Sequence, residues 1–181
     1  MIDTHAHIFV DEFESDFDEV LNNAFSNGIE KIIMPAIEPK TFDKLLTTSS
    51  KDPRLYCSMG VHPHNASEVN DDVLETIKKN CENPKVIAIG EIGLDYYYDF
   101  SPKDAQKAVF KDFIKLAKKI KKPVIIHNRN SDEDVMEILE SEYSPDLIGQ
   151  FHCFSGDVRL AQRVLNLGFY ISFTGSITFS K

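Results

Sequence analysis

The chain is short of the features that mark membrane, secreted and nucleic-acid-coating proteins. No apolar run reaches the roughly 20 residues that a bilayer-spanning helix needs. No basic segment followed by an apolar one opens the sequence, so a secretory signal is not expected. The three cysteines, Cys57, Cys81 and Cys153, are an odd number without metal-ligand spacing. They predict free thiols in a reducing, cytoplasmic compartment. Positive charge is scarce: 20 Lys and Arg stand against 29 Asp and Glu, for a formal charge of −9. That balance argues against a broad, sequence-independent nucleic-acid binder. It leaves room for an enzyme that meets phosphate only at a small, cation-bearing site. Gly and Pro, eight of each, are scattered, and no linker, repeat or low-complexity tract divides the chain. Residues 1–181 are therefore expected to form a single domain. There is no G-x-S-x-G, Walker A loop or Rossmann glycine fingerprint.

What is present is an alternation of two patterns. Short apolar runs occur at 1–8, 31–37, 55–61, 85–92, 123–127, 147–153 and 169–173, several rich in Val and Ile. Such runs suit strands buried on both faces. Amphipathic segments lie between them. Phe13, Phe17, Val20, Leu21 and Ala24 form one helical stripe, with Gly28 as its stop. Ser101 before Pro102 reads as a helix start, followed by Val109, Phe113, Leu116, Ala117 and Ile120 at helical spacing. Ser131 with Asp134 reads as a capping box ahead of Val135, Ile138 and Leu139. Asp157 is placed to cap a helix that ends before Gly168, and two further helices are expected near 40–49 and 71–81. Strand, helix, strand in repetition predicts an α/β fold with parallel strands joined by crossover helices. A doubly wound sheet and a (β/α)8 barrel both satisfy that pattern.

All six histidines, His5, His7, His62, His64, His127 and His152, lie in or just after a predicted strand, and none lies in a predicted helix. A lone strand histidine is ordinarily a hydrogen-bonded core residue. Six together at strand ends are a different matter, because those ends and the loops after them build the site in parallel α/β folds. In "IDTHAHI" the period of two points Asp3, His5 and His7 to one side. Glu91 ends the run "KVIAIGE". Neutral imidazoles bind Zn, Mn, Fe or Ni, and a carboxylate can bridge two cations. His5, His7, His127 and His152, with Glu91 between them, could hold two metals roughly 3.5–4 Å apart. A Cys153–His152 pair is disfavoured because neighbours in a strand face opposite ways.

Taken in order, "IDTHAHI", "GVHPH", "GEIGLDYYY", "PVIIHNR" and "FHCFSG" resemble the TatD family of metal-dependent hydrolases, within the amidohydrolase-like superfamily. The resemblance runs the length of the chain. It implies a TIM (β/α)8-type barrel with a two-metal site at the C-terminal strand ends, and a deoxyribonuclease or phosphodiesterase activity. By motif, His5 and His7 would bind the first metal, His127 and His152 the second, and Glu91 both, which also makes Glu91 the expected catalytic residue. His62, His64 and Arg129 would meet the substrate. Asp3 would orient a ligand or support the first strand. The cofactors implied are two divalent cations, Mg, Mn or Zn. DNA ends or short oligonucleotides are the expected substrate, and no membrane partner is expected.

The family pattern also includes a last-strand aspartate in an "E-T-D-S/A-P" type motif, and residues 169–181 contain no Asp. The sequence shows seven strand candidates, so the expected fold is a barrel truncated after the seventh strand. A typical barrel takes about 250 residues, so roughly 70 are lacking. The expectation is a fragment of a longer protein, with a partner chain that supplies the missing strand as one alternative and a catalytically degenerate metal-binding remnant as another. A hydrolase of cyclic amides or small esters is the competing enzyme reading. Relatives of that kind often bridge their metals with a modified lysine at the place of Glu91.

Overall fold

The computed structural model describes residues 1–179. Seven parallel strands form one sheet: β1 (Ile2–Asp3), β2 (Lys31–Pro35), β3 (Leu55–Met59), β4 (Val86–Asp95), β5 (Val124–Arg129), β6 (Gly149–Phe151) and β7 (Tyr170–Ile171). Each strand pairs with the next in sequence, in the order β1 to β7 without reversal. A doubly wound sheet reverses its order at a switch point. The unbroken order, with helices between strands, is that of a TIM-type barrel. The sheet curls far enough for its two ends to meet across the interior. Gln150 Nε2, on β6, donates to the Thr4 carbonyl at 3.4 Å. The rings of His5 and His152 stack at 3.8 Å, nearly parallel at 6°. Among the described residues β1 and β7 each have a single neighbour in the sheet.

The crossovers are helices α1 (Phe17–Ser26), α2 (Phe42–Ser49), α3 (Asp71–Asn80), α4 (Lys103–Ile120), α5 (Asp132–Ser141) and α6 (Val158–Asn166). Each lays an apolar stripe on the sheet. In α4 the fully buried stripe is Phe110, Phe113, Ile114 and Ala117. The expected stripe is rotated slightly, so Val109, Leu116 and Ile120 lie partly buried on its flanks. Asp157 caps α6, where its Oδ1 accepts the Leu160 N–H at 2.8 Å. Gly28 ends the turn after α1 at φ +88°, a conformation glycine adopts without penalty. Among the described residues no helix is long and apolar enough to cross a membrane.

Several local expectations need correction. The first run is a strand only over Ile2–Asp3, and the sixth and seventh shrink to Gly149–Phe151 and Tyr170–Ile171. Phe13 falls in a 3-10 turn, Asp11–Phe13, ahead of α1. Ser101 does not cap α4. Its hydroxyl donates to the His64 carbonyl at 2.7 Å and ties two loops together. Ser131 precedes α5 but makes no capping-box bond. Its Oγ bonds Leu94 O at 3.0 Å and Asn128 Oδ1 at 2.7 Å. Asp134 instead receives the Tyr96 hydroxyl at 2.7 Å. In each case a tertiary partner outcompetes the local cap.

The fourth strand is longer than expected and runs through Glu91 to Asp95. Its register against β5 slips between Ile89↔Val124 and Ile92↔Ile126, three residues against two. This is a bulge, and bulges re-aim side chains next to functional sites. The displaced backbone groups find partners: Glu91 N–H donates to Ala36 O at 3.1 Å, and Gly90 O accepts the Ser58 hydroxyl at 2.8 Å. Past the bulge, Gly93 lies opposite His127 and Asp95 opposite Arg129. A Cβ on Gly93 would come within 2.0 Å of the His127 carbonyl oxygen, at a φ of +138°.

That approach makes a stability prediction. Gly93→Ala should lower unfolding stability by about 3 kcal/mol, because the β5 backbone must move. Gly28→Ala meets nothing within 4 Å and should cost only about 1 kcal/mol, through its positive φ. Urea midpoints of the two variants compare these costs, and equal midpoints would refute the close-approach account.

Candidate metal centre

The bulge carries Glu91 into the barrel mouth, where it is only 3% exposed. Five imidazoles surround its carboxylate. Oε1 lies 2.7 Å from His127 Nδ1, 2.7 Å from His152 Nε2 and 3.6 Å from His62 Nε2. Oε2 lies 3.2 Å from His5 Nε2 and 3.6 Å from His7 Nε2. Each ring arrives from a different place in the sheet. His5 and His7 follow β1, in a segment still bonded to β2 through Ala6 N–H and Ile33 O at 3.2 Å. Asp3 steadies that segment by accepting the His5 backbone N–H at 3.0 Å, without touching a ring. His127 is in β5, and His152 follows β6 by one residue.

A second carboxylate completes the cluster, and it is absent from the sequence expectations. Asp95 Oδ2 lies 3.0 Å from His127 Nε2 and 3.0 Å from His64 Nε2. The signal was available: in a period-two strand, residue 95 shares its face with residue 91. It is overlooked if the strand is ended near residue 92. Asp95 Oδ1 turns the other way and accepts the N–H groups of Tyr97 at 2.9 Å and Tyr98 at 3.2 Å.

The ligand-type atoms fall into two groups, His5–Glu91–His152 and His62–Asp95–His127, each within 4.8 Å of one another. His7 joins the first through a 3.0 Å approach of its Nε2 to that of His5. The expected metal ligands His5, His7, Glu91, His127 and His152 are thus brought together, and His62 and His64 stand beside them. Arg129 is set apart at the rim, its guanidinium 3.9 Å from the Tyr97 ring centroid. Cys153 Sγ meets the Thr174 hydroxyl at 3.1 Å rather than a ring nitrogen. A cleft of about 370 Å³ opens beside His5, between β1 and β7, lined in part by Ile2, Thr4, Phe173 and Thr174.

The proton count shows what this donor set suits. A neutral imidazole has one N–H and one lone pair. Among the described residues the buried Nδ1 atoms of His5, His7 and His152 have no hydrogen-bond partner, which ordinarily costs about 1–3 kcal/mol each. Their Nε2 atoms crowd a single carboxylate. Imidazole nitrogens and carboxylate oxygens converging in this way are the ligands preferred by Zn, Mn, Fe and Ni. The residues fit a divalent cation.

Both carboxylates of the cluster are held ionised despite their burial. Burial opposes ionisation of Glu91, yet bonds from His127, His152, His5 and His7 hold its pKa well below the ordinary value. Asp95 is likewise lowered against its burial, first by His127 and then by the backbone N–H groups of Tyr98 and Tyr97. Burial lowers His5 and takes His62 down to about 3. Burial also works against protonation of His127, but Asp95 and Glu91, one on each ring nitrogen, outweigh it and raise the ring to about 9. His62 is therefore neutral near pH 7. Its Nδ1 accepts the His64 N–H at 3.2 Å, so the proton resides on Nε2, which faces the cluster.

The chain is similar to known proteins in sequence and fold. The TatD-related DNase family matches residues 2–181. An uncharacterized metal-dependent hydrolase, YabD of Bacillus subtilis, is 38% identical over 181 residues, which span 100% of this chain and 71% of that protein. The crystal structure of YjjV, a TatD homologue from Escherichia coli K12, superposes with a TM-score of 0.92 at 34% identity, over 99% of this chain and 70% of that one. A TatD-family hydrolase from Entamoeba histolytica gives a TM-score of 0.87 at 30% identity, over 97% and 65% of the two chains. With its strand order, its imidazole–carboxylate cluster and these matches in agreement, the chain belongs to the TatD-related DNase family of metal-dependent hydrolases.

Proposed function

We propose that residues 1–181 act as one hydrolase domain that cleaves phosphodiester bonds at DNA ends or in short oligonucleotides. The observation that carries this reading is Glu91, a buried carboxylate contacted by imidazoles from three separate parts of the sheet, in a chain matched by a family named for DNase activity. His5, His7 and Glu91 would hold one divalent cation, and Glu91, His127 and His152 a second. Bound cations of this kind supply a Lewis acid that makes water a nucleophile near neutral pH and offset the charge of phosphate oxygens.

The protein's own groups then have distinct tasks. Glu91 is an acceptor that stays ionised in a buried place. Asp95 orients His127 through Nε2 and so fixes the direction of Nδ1. Neutral His62 offers Nε2–H, a donor suited to a non-bridging phosphate oxygen. Arg129 at the rim supplies a positive charge in a chain whose net charge is −9. A carboxylate at position 91, rather than a lysine, supports phosphodiester over cyclic-amide hydrolysis.

Two outcomes are expected. First, Mn or Zn at about 100 times its Kd should raise the unfolding temperature by roughly 5–10 °C, with reversal by a chelator. His5→Ala and His152→Ala should shrink the shift. Unchanged melting with each metal would remove the cation site. Second, a Mn- or Mg-loaded chain should cleave short DNA oligonucleotides, and His127→Ala should lower kcat/KM by about 100- to 1000-fold. Turnover of a cyclic amide or small ester without cleavage of DNA would reverse the substrate class. Metal uptake without any turnover would identify a degenerate binding module.

A further inference from the structure

None of the residues assigned to hydrolysis accounts for the aromatic surface that borders them. The loop after β4 leaves Tyr97, Tyr98 and Phe100 exposed by 56%, 42% and 67%. These rings are organised. Tyr98 stacks on Phe100 at 5.3 Å and 24°, and Tyr97 meets Tyr98 edge-on at 4.7 Å. The Arg129 guanidinium lies over Tyr97 at 3.9 Å and near Tyr98 at 5.1 Å. His64 packs against both Tyr98 and Phe100, at 5.3 and 4.8 Å. From His64 the rings continue inward to His62 at 4.2 Å and on to His127 at 4.4 Å. A series of edge-to-face ring contacts thus runs from the rim to the imidazole cluster.

The ledge is also held in place. Asp95 Oδ1 fixes the backbone of Tyr97 and Tyr98. Gln106 Nε2 bonds both Asp95 O at 3.1 Å and Ser101 O at 2.9 Å. The Ser101 hydroxyl reaches the His64 carbonyl at 2.7 Å. A surface ordered in advance loses little entropy when a ligand binds. The net charge of −9 makes a long polyanion a poor electrostatic fit. Stacking on flat rings carries no such penalty, and every nucleobase has a π face.

We propose that Tyr97, Tyr98 and Phe100 form a base-stacking subsite for one unpaired nucleobase, adjacent to a phosphate at the imidazole cluster, with Arg129 spanning base and phosphate. The proposal rests on the phosphodiester reading and narrows it to single-stranded or frayed ends, since a base within a duplex keeps both faces covered by its neighbours.

The test uses the full chain and a single-stranded DNA pentamer with 2-aminopurine at each position in turn, or an abasic residue in its place. The chain has no tryptophan, so the probe's emission is read alone. Quenching at one position near the end is expected. Tyr97→Ala and Phe100→Ala should each weaken Kd by about 5- to 100-fold. Tyr97→Phe should retain binding. An abasic residue at the quenched position should cost the unaltered chain a similar factor and the alanine variants little more. The abasic comparison needs no variant, so a variant that fails to fold leaves the test intact. Equal affinity for base-bearing and abasic pentamers overturns the subsite. Cleavage that is indifferent to the abasic position overturns it too and leaves hydrolysis standing. Base-dependent quenching without cleavage of any phosphodiester overturns the hydrolytic reading and leaves the stacking subsite.

Discussion

Glu91 holds a negative charge where solvent scarcely reaches it, and a buried carboxylate without partners is among the most costly groups a fold can contain. The architecture around it meets that demand. The β4 bulge turns the side chain inward, the Ala36 carbonyl and Ser58 hydroxyl take up the backbone groups that the bulge frees, and five imidazoles close on the two oxygens. Removal of any one ring leaves a charge less compensated. Removal of the carboxylate leaves a knot of imidazoles with few acceptors among them. The cluster is a single electrostatic object, and its members are not expected to contribute additively.

Strand order explains how residues so far apart in sequence reach one carboxylate. In a sheet that adds each strand beside the last and curls, the first strand comes to face the sixth. The stacked rings of His5 and His152 are the direct result. The same geometry leaves β1 and β7 each with one neighbour and a cleft beside His5. This chain spans 71% of YabD, and residues 169–181 offer no aspartate to the site.

Much of this was legible in the sequence because it depends on period and position. Parallel α/β architecture followed from alternating patterns, and the gathering of histidines followed from their placement at strand ends. Even where the first strand proved too short to include His5 and His7, the alternation of side chains survived through a segment that still bonds to β2. What was not legible depended on choices between partners. Ser101 and Ser131 have the local signature of caps, but loops distant in sequence claim their hydroxyls. The bulge at Gly90–Glu91 leaves no simple periodic mark. Without it the end of β4 is misplaced, and Asp95 goes unnoticed as the second carboxylate.

Asp95 ties the His127 ring to the backbone of the tyrosine loop. One oxygen holds the His127 ring and the other the backbone of the tyrosine loop, so neither can shift while the other stays fixed. Thermodynamic linkage turns that mechanical fact into a reciprocal one. If a molecule that settles the loop changes the grip of the imidazoles on a cation, it does so by a definite factor. A cation held there would change the affinity for that molecule by the same factor.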